Sequence, residues 1–188
     1  IQPQPLLILV DEYELIEKES RRCHNLIERL LSLASPKRDT PALHDLREIL
    51  DHSISLVRYQ AGERKIDMDT PTQPVPVYVN EGQLSAVFIN LFLNALQSMD
   101  QATSDAKLRV HMRTRGNEAI VDVTDEGVGI SAEELEQIFD PFFTKRAEGT
   151  GLGLSIVHQV VNTIGGRIDV ASIPGSGTTF TVYLPLHQ

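Results

Sequence analysis

The chain has 188 residues, 41% hydrophobic and 23% charged, with a formal net charge of −9 and no low-complexity tract: a soluble globular composition, long enough to bury a core and carry an accessory element. The acidic balance and the lack of a long basic run argue against nucleic acid or an anionic membrane as the main partner, and an anionic ligand would need a divalent cation and a few placed Lys or Arg. The single cysteine, Cys23, excludes an internal disulfide and points to a reducing compartment, and the apolar run from Leu6 to Val10 is far too short to span a bilayer, so the chain is expected to be cytoplasmic without direct membrane contact.

Over residues 14–34 the apolar side chains fall at helical spacing. Ile16, Cys23 and Leu30 stand seven apart, Leu26 and Leu33 follow three after the last two, and Glu19 interrupts the seam. Leu15, Ile27 and Leu31 widen the stripe, which suits a bundle better than a two-stranded coil. Ser35-Pro36-Lys37-Arg38-Asp39 ends this helix, because proline cannot continue it, and a domain boundary is placed between residues 36 and 37. A second helix is expected from about Thr40, with Pro41 at its first position, Leu43, Leu46, Leu50 and Val57 on its buried face, and Gly62 after its end. Pro71, Pro74 and Pro76 bracket two extended pieces, 65–69 and 75–79. A strongly apolar third helix covers 81–99.

Leu108, Val110 and Met112 then alternate with Arg109, His111 and Arg113 as a half-buried strand. Gly116-Asn117 turns it, and 119–123 returns as its hairpin partner. Residues 131–139 carry a short helix signal, and 154–163 a fourth helix stopped by Gly165-Gly166. Ile168 and Val170 begin another strand, which turns at Pro174-Gly175-Ser176-Gly177 into one carrying Phe180, Val182 and Leu184. Helices and antiparallel hairpins in this order predict an α+β fold, a two-layer α/β sandwich, and no repeat period of about 20–50 residues is present.

Four short segments carry unusual chemistry. Asn90 and Asn94 lie four apart on the third helix, with Gln97 extending the row on an otherwise apolar cylinder. An amide oxygen is a hard neutral ligand suited to Mg²⁺; the plain alternative is a solvated polar stripe. Asp125-Glu126-Gly127-Val128-Gly129-Ile130 ends a strand; its glycines permit close approach to a flat ligand, and a buried Asp125 would accept a hydrogen bond from an exocyclic amine. The same residues also make an ordinary strand-to-helix turn. Phe139, Pro141, Phe142 and Phe143, followed by Thr144, Lys145 and Arg146, combine apolar anchors with cations, as a mobile lid would need; a packed loop is the alternative. Gly149-Thr150-Gly151-Leu152-Gly153-Leu154-Ser155 opens a helix, where free N–H groups and glycine access suit phosphate. The dinucleotide fingerprint fails there, since residue 154 is Leu154 and no strand precedes, and no Gly-Lys-Ser/Thr triplet exists for a P-loop.

In order, Asn90-Leu-Phe-Leu-Asn94, Asp125-Glu-Gly127-Val-Gly129-Ile130, Phe139-Asp-Pro141-Phe142-Phe143, Gly149-Thr150-Gly151-Leu152-Gly153-Leu154 and Gly175-Ser-Gly177-Thr178-Thr-Phe180 resemble the N, G1, F, G2 and G3 boxes of the sensor histidine kinases. These belong to the wider gyrase, Hsp90, histidine kinase and MutL superfamily, and the resemblance covers about residues 43–186. It implies a Bergerat-type mixed sheet with helices packed on one face, binding Mg-ATP between the helix layer and a lid. It assigns Asn94 to Mg²⁺ with Asn90 in support, Asp125 to adenine with Gly127, Gly129, Ile130 and Thr178 around the base, and Lys145 to the terminal phosphates. Phe142, Thr144, Gly149, Thr150, Gly151, Leu152, Gly153 and Leu154 would complete the cofactor site from the lid. The lid, 144–148, is short for this superfamily.

In the gyrase-like members a glutamate general base stands four residues before the metal-binding asparagine; here that position is Asn90, which takes no proton at neutral pH. This favours a protein-histidine kinase over a gyrase- or MutL-type ATPase. An anti-sigma-type serine kinase, or a nucleotide-switched regulator, would keep the same pocket without a dimerisation helix pair. The helix over 14–34, ending in Ser-Pro, is similar instead to the second helix of a histidine kinase dimerisation domain, which implies a homodimer and relay to a response regulator receiver domain. No helix with the phosphoacceptor pattern, a His followed by an acidic residue and then a proline, is found. His24, His44 and His52 read as ordinary helix histidines. The acceptor histidine is thus expected to lie outside this chain, which would be the cytoplasmic portion of a membrane sensor or of a soluble kinase.

Overall fold

The computed structural model describes residues 40–62, 64–100, 105–146 and 149–187. The expected helix over 14–34, Cys23, His24 and the boundary at 36/37 lie outside the described residues. In chain order the elements are β1 (Ala42–Asp45), α1 (Leu46–Ala61), β2 (Ile66–Asp69), β3 (Pro76–Val79), α2 (Glu81–Ser98), β4 (Leu108–Arg115), β5 (Glu118–Asp125), α3 (Ala132–Leu135), α4 (Gly153–Thr163), β6 (Arg167–Ile173) and β7 (Gly177–Pro185). Five strands form one mixed sheet in the order β2-β4-β5-β7-β6, parallel only between β2 and β4, and β1 pairs with β3 in a separate antiparallel ribbon. This is the expected two-layer arrangement, with α1, α2 and α4 against one face of the sheet.

The expected start of α1 at Thr40 is corrected. Residues 42–45 are strand, and Leu43, placed on the buried face of a helix by its spacing, is 58% exposed opposite Tyr78. The cap is Asp45, whose Oδ1 accepts from the N–H of Arg47 at 3.1 Å and of Val75 at 3.0 Å, while the Leu46 N–H donates to the Val75 carbonyl at 2.9 Å. Pairing with a strand some thirty residues away therefore overrides the local helix signal. Leu46, Leu50 and Val57 are buried as expected, and Gly62 ends the helix at φ 58°.

The sheet shows why one face is covered. Leu108, Val110 and Met112 on β4, Ala119, Val121 and Val123 on β5, and Phe180, Val182 and Leu184 on β7 point to the helices and are buried. α2 answers with Leu84, Phe88, Leu91, Phe92 and Leu96, the two rings being fully buried with centroids 6.1 Å apart. Burial of each such side chain is worth about 1.5–3 kcal/mol. The opposite face is mostly polar, around a buried Ile120: Arg113 pairs with Asp122, Arg109 with Glu126, His111 with Asp69, and Arg167 with Glu118 while lying over the Tyr183 ring. Exposed ion pairs contribute about 0–1 kcal/mol each, so the covered face dominates stability. No helix among the described residues is long and apolar enough to cross a membrane.

Candidate functional site

The alternation along β5 runs Ala119, Val121, Val123 and then Asp125, so a carboxylate takes the last core-facing position. Across the ladder its partner is Thr178, the matching end position on β7. Both are 4% exposed. Burial pushes the Asp125 carboxyl above the usual carboxylate range, against hydrogen bonds from Ser98, Gly127 and the backbone of Thr178 and the nearby charge of Arg146. The Thr178 hydroxyl is 2.8 Å from Ser172 Oγ, which also donates to the Gly177 carbonyl at 2.9 Å and accepts from the Ile130 N–H at 2.8 Å. Ser172 thereby ties the loop after β5 to the β6–β7 turn.

That loop leans on the end of α2. The Val128 N–H donates to the Ser98 carbonyl at 3.2 Å, and a Cβ on residue 127 would lie 2.1 Å from Ser98 Oγ. Only glycine allows this approach. Beyond it, α3 opens with a capping box: the Ser131 hydroxyl accepts from the Glu134 N–H, and Glu134 Oε2 accepts from the Ser131 N–H at 2.7 Å.

Asn90 and Asn94 sit half-buried on α2. Asn90 Nδ2 donates to the Ala86 carbonyl at 2.8 Å, so its Oδ1 turns outward, toward the start of α4. A Cβ on Gly153 would lie 3.0 Å from Asn90 Oδ1 and 3.9 Å from Asn94 Nδ2. α4 begins at Gly153 with no side-chain cap, which leaves its first N–H groups to a ligand or to solvent. The two asparagines and the G2 segment are therefore neighbours.

The lid joins these parts. The Phe142 N–H donates to the Gly151 carbonyl at 2.9 Å, and Phe142, at φ 68° and 67% exposed, is the one non-glycine with positive φ among the described residues. Gly151, also left-handed at φ 67°, is packed so closely that a Cβ would lie 2.3 Å from the Phe142 carbonyl carbon. Thr144 Oγ1 accepts from the Arg146 N–H at 3.1 Å, and Thr150 Oγ1 from the Leu152 N–H at 3.4 Å. Leu152 is buried, and Leu154 packs against the core.

The two lid cations part company. Lys145 Nζ lies 2.7 Å from Glu134 Oε1, an ion pair that, with the Ser131 bonds, holds the Glu134 carboxyl down to about 2. Arg146 instead donates to Gln97 Oε1 and, at 3.4 Å, to the Asn94 carbonyl. Its guanidinium lies within electrostatic reach of the carboxylates of Asp100 and Asp125. Sequence alone does not assign Arg146, Ser98, Ser172 or Glu134 to the site. Only Arg146 leaves a signal, as a cation beside Lys145.

The fold recurs in known proteins. Residues 79–188, more than half of the chain, match the family described as histidine kinase-, DNA gyrase B-, and HSP90-like ATPase. The chain is 38% identical over 176 residues to the sensor histidine kinase ZraS of Escherichia coli K12, covering 93% of this chain and 37% of that protein. It thus spans little more than a third of the length of this curated relative. The solved structure of a mycobacterial sensor histidine kinase, MprB, superposes with a TM-score of 0.71 at 26% identity, covering 79% of this chain and 99% of that one. The nucleotide-free catalytic domain of the histidine kinase ThkA superposes at 0.68 and 27% identity, covering 77% and 95%. The chain belongs to the histidine kinase-, DNA gyrase B-, and HSP90-like ATPases, and along nearly its whole length it is similar to sensor histidine kinases.

Proposed function

We propose that this chain is the ATP-binding catalytic region of a two-component sensor histidine kinase, which passes the γ-phosphate of Mg-ATP to a histidine on a dimerisation helix for relay to a response regulator. The observation that carries this reading is the layout along α2. Ser98 meets the buried Asp125 at one end, and Asn90 and Asn94 meet Gly153 further back. Eight residues of helix separate Ser98 from Asn90, roughly 12 Å, the scale of a nucleotide from base to phosphates.

The residues fit that ligand. Asp125 would accept the adenine amine, with Thr178 beside it and Gly127, Gly129 and Ile130 flooring the base. Asn90 offers an outward amide oxygen and Asn94 stands one turn on, a neutral oxygen set that suits a Mg²⁺ held largely by waters and phosphates. When bound, Mg²⁺ neutralises charge on the phosphate oxygens. Gly151 and Gly153 keep the start of α4 open to the phosphates, with Phe142, Thr144, Gly149, Thr150, Leu152 and Leu154 shaping the lid around them. Arg146 is the cation already at the mouth; Lys145 reaches the phosphates only by leaving Glu134. In the transfer, an imidazole nitrogen lone pair attacks the γ-phosphorus, the bond to the bridging oxygen breaks and ADP leaves with that electron pair, while the ring's other nitrogen gives its proton to water. Asn90 offers no base to activate water, so transfer is favoured over hydrolysis. The parent protein would be a homodimer through the helix over 14–34, with this region in the cytoplasm.

The test is incubation of the 188-residue chain with γ-labelled Mg-ATP and a separate histidine-containing helix hairpin. Label that is acid-labile and alkali-stable on the hairpin histidine is expected. Label on serine would favour an anti-sigma-type kinase, and rapid hydrolysis without any acceptor would favour a gyrase- or MutL-type ATPase.

A further inference from the structure

Ser98 closes α2, and its hydroxyl serves two acceptors with one proton. It lies 2.7 Å from Asp125 Oδ1 and 2.7 Å from the Ala95 carbonyl oxygen. A carboxylate wins that competition, because a charge-assisted hydrogen bond is about twice as strong as a neutral one. The Gly127 N–H donates to the same Oδ1 at 2.8 Å. Neither of these two bonds uses Oδ2; the backbone of Thr178 is a third donor to the same carboxyl, and together the donors fix its plane while each carboxylate oxygen has a second lone pair to offer.

The surroundings are shaped to this contact. A Cβ on residue 127 would lie 2.1 Å from Ser98 Oγ and 2.7 Å from the Ser98 carbonyl carbon. The Ser98 carbonyl also accepts from the Val128 N–H. One residue thus holds both the backbone of the loop and the acceptor group of the pocket, from the helix that carries Asn90 and Asn94.

We propose that Ser98 is a positioning residue for base recognition: its hydroxyl holds Asp125 Oδ1 so that Oδ2 is presented to the 6-amino group of a purine, and the preference for a 6-aminopurine runs through this bond. The inference rests on the reading of the pocket as an ATP site. Without the hydroxyl, a buried carboxylate loses one of its donors, and either rotates or takes up a proton more readily. Both outcomes weaken the bond to the amine and spare the contacts to ribose and phosphates.

The experiment is calorimetric titration of the 188-residue chain, wild type, Ser98→Ala and Ser98→Cys, with Mg-ATP and with the Mg complex of purine riboside triphosphate, which has hydrogen in place of the 6-amino group. Cysteine nearly keeps the shape of serine but is a weak donor, so it carries the test if the alanine variant fails to fold. The wild type is expected to prefer ATP, and each variant to lose roughly tenfold in affinity for ATP with little change for the analogue. Equal weakening of both ligands would mark Ser98 as merely structural and overturn the proposal, as would an ATP preference that survives substitution. A wild type that binds neither nucleotide would sink the ATP reading itself, a result distinct from either.

Discussion

Replacing Asp125 by asparagine keeps its shape and changes what the pocket floor can accept. The amide oxygen of the new side chain could still receive the Ser98 hydroxyl and the Gly127 N–H, now 2.7 and 2.8 Å from Asp125 Oδ1. The other position becomes an amide NH₂ that meets the base amine donor to donor. A hydrogen bond to a charged acceptor is worth about 1.5–3 kcal/mol. At about 1.4 kcal/mol per decade, Asp125→Asn should raise the Mg-ATP dissociation constant roughly 10- to 100-fold. Fold stability should move the other way. Burial raises the folded-state carboxyl above its ordinary 3.8, so the folded chain holds that proton more tightly than the unfolded one. The contribution of this group to stability is then fully present below the unfolded value and is lost as pH rises through the folded value. At neutral pH the wild type carries a buried anion that the variant lacks. Asp125→Asn should therefore unfold at an equal or higher temperature, with a flatter pH dependence between acid and neutral. Calorimetric titration and thermal unfolding on the same samples check both halves. Unchanged affinity would mean that Asp125 accepts no bond from the base, and a loss of stability above about 1 kcal/mol at neutral pH that its buried charge stabilises the fold.

The lid and its anchors give further expectations. Glu134→Gln keeps an acceptor for the Ser131 N–H and removes the ion pair with Lys145; since Lys145 is 70% exposed, neutral-pH stability in urea should change by less than about 1 kcal/mol. The depressed Glu134 carboxyl contributes stability that is present above its ordinary 4.5 and is lost as pH falls toward about 2, so this substitution should flatten the acid limb of stability against pH. Arg146→Gln should weaken ATP roughly tenfold or more while leaving adenosine affinity unchanged, and Lys145→Gln should do less, as read by competition binding; the reverse order would make Lys145 the phosphate cation. Gly127→Ala, whose Cβ would lie 2.1 Å from Ser98 Oγ, should lower both ATP affinity and stability, the latter by about 1–3 kcal/mol in urea unfolding.

What can be read from residues alone is what local rules control. The hairpin of β4 and β5 follows from alternation around Gly116-Asn117, and α2 from its apolar run. Asp125 is legible in the same way: it continues the buried row of Ala119, Val121 and Val123, where alternation calls for an apolar side chain. β1 is not legible, because Pro41 and Leu43 carry helix signals and the strand exists only through pairing with β3. Asp45, three residues before Glu48 and directly before the buried Leu46, holds the true cap signal. The division of labour between Lys145 and Arg146 is equally hidden. It depends on the path the chain takes after the left-handed Phe142 and on where the end of α2 lies, and neither is encoded in the adjacent pair of cations. Ser98 reads as an ordinary residue near a helix end until Gly127 is seen packed on its hydroxyl.

In the proposed ATP site, Asp125 and the Asn90, Asn94 and Gly153 cluster are two ends of one nucleotide pocket. Mn²⁺ accepts the oxygen ligands that suit Mg²⁺ and broadens nearby nuclear magnetic resonances. Titrating the isotope-labelled chain with Mn-ATP should erase the side-chain amide signals of Asn90 and Asn94 and the Gly153 amide first. The Gly127 and Gly129 amides should shift on binding and persist longer, and Mg-ATP should shift both groups together. Broadening centred on Asp125, or shifts confined to one of the two groups, would mean that the two ends do not share one nucleotide.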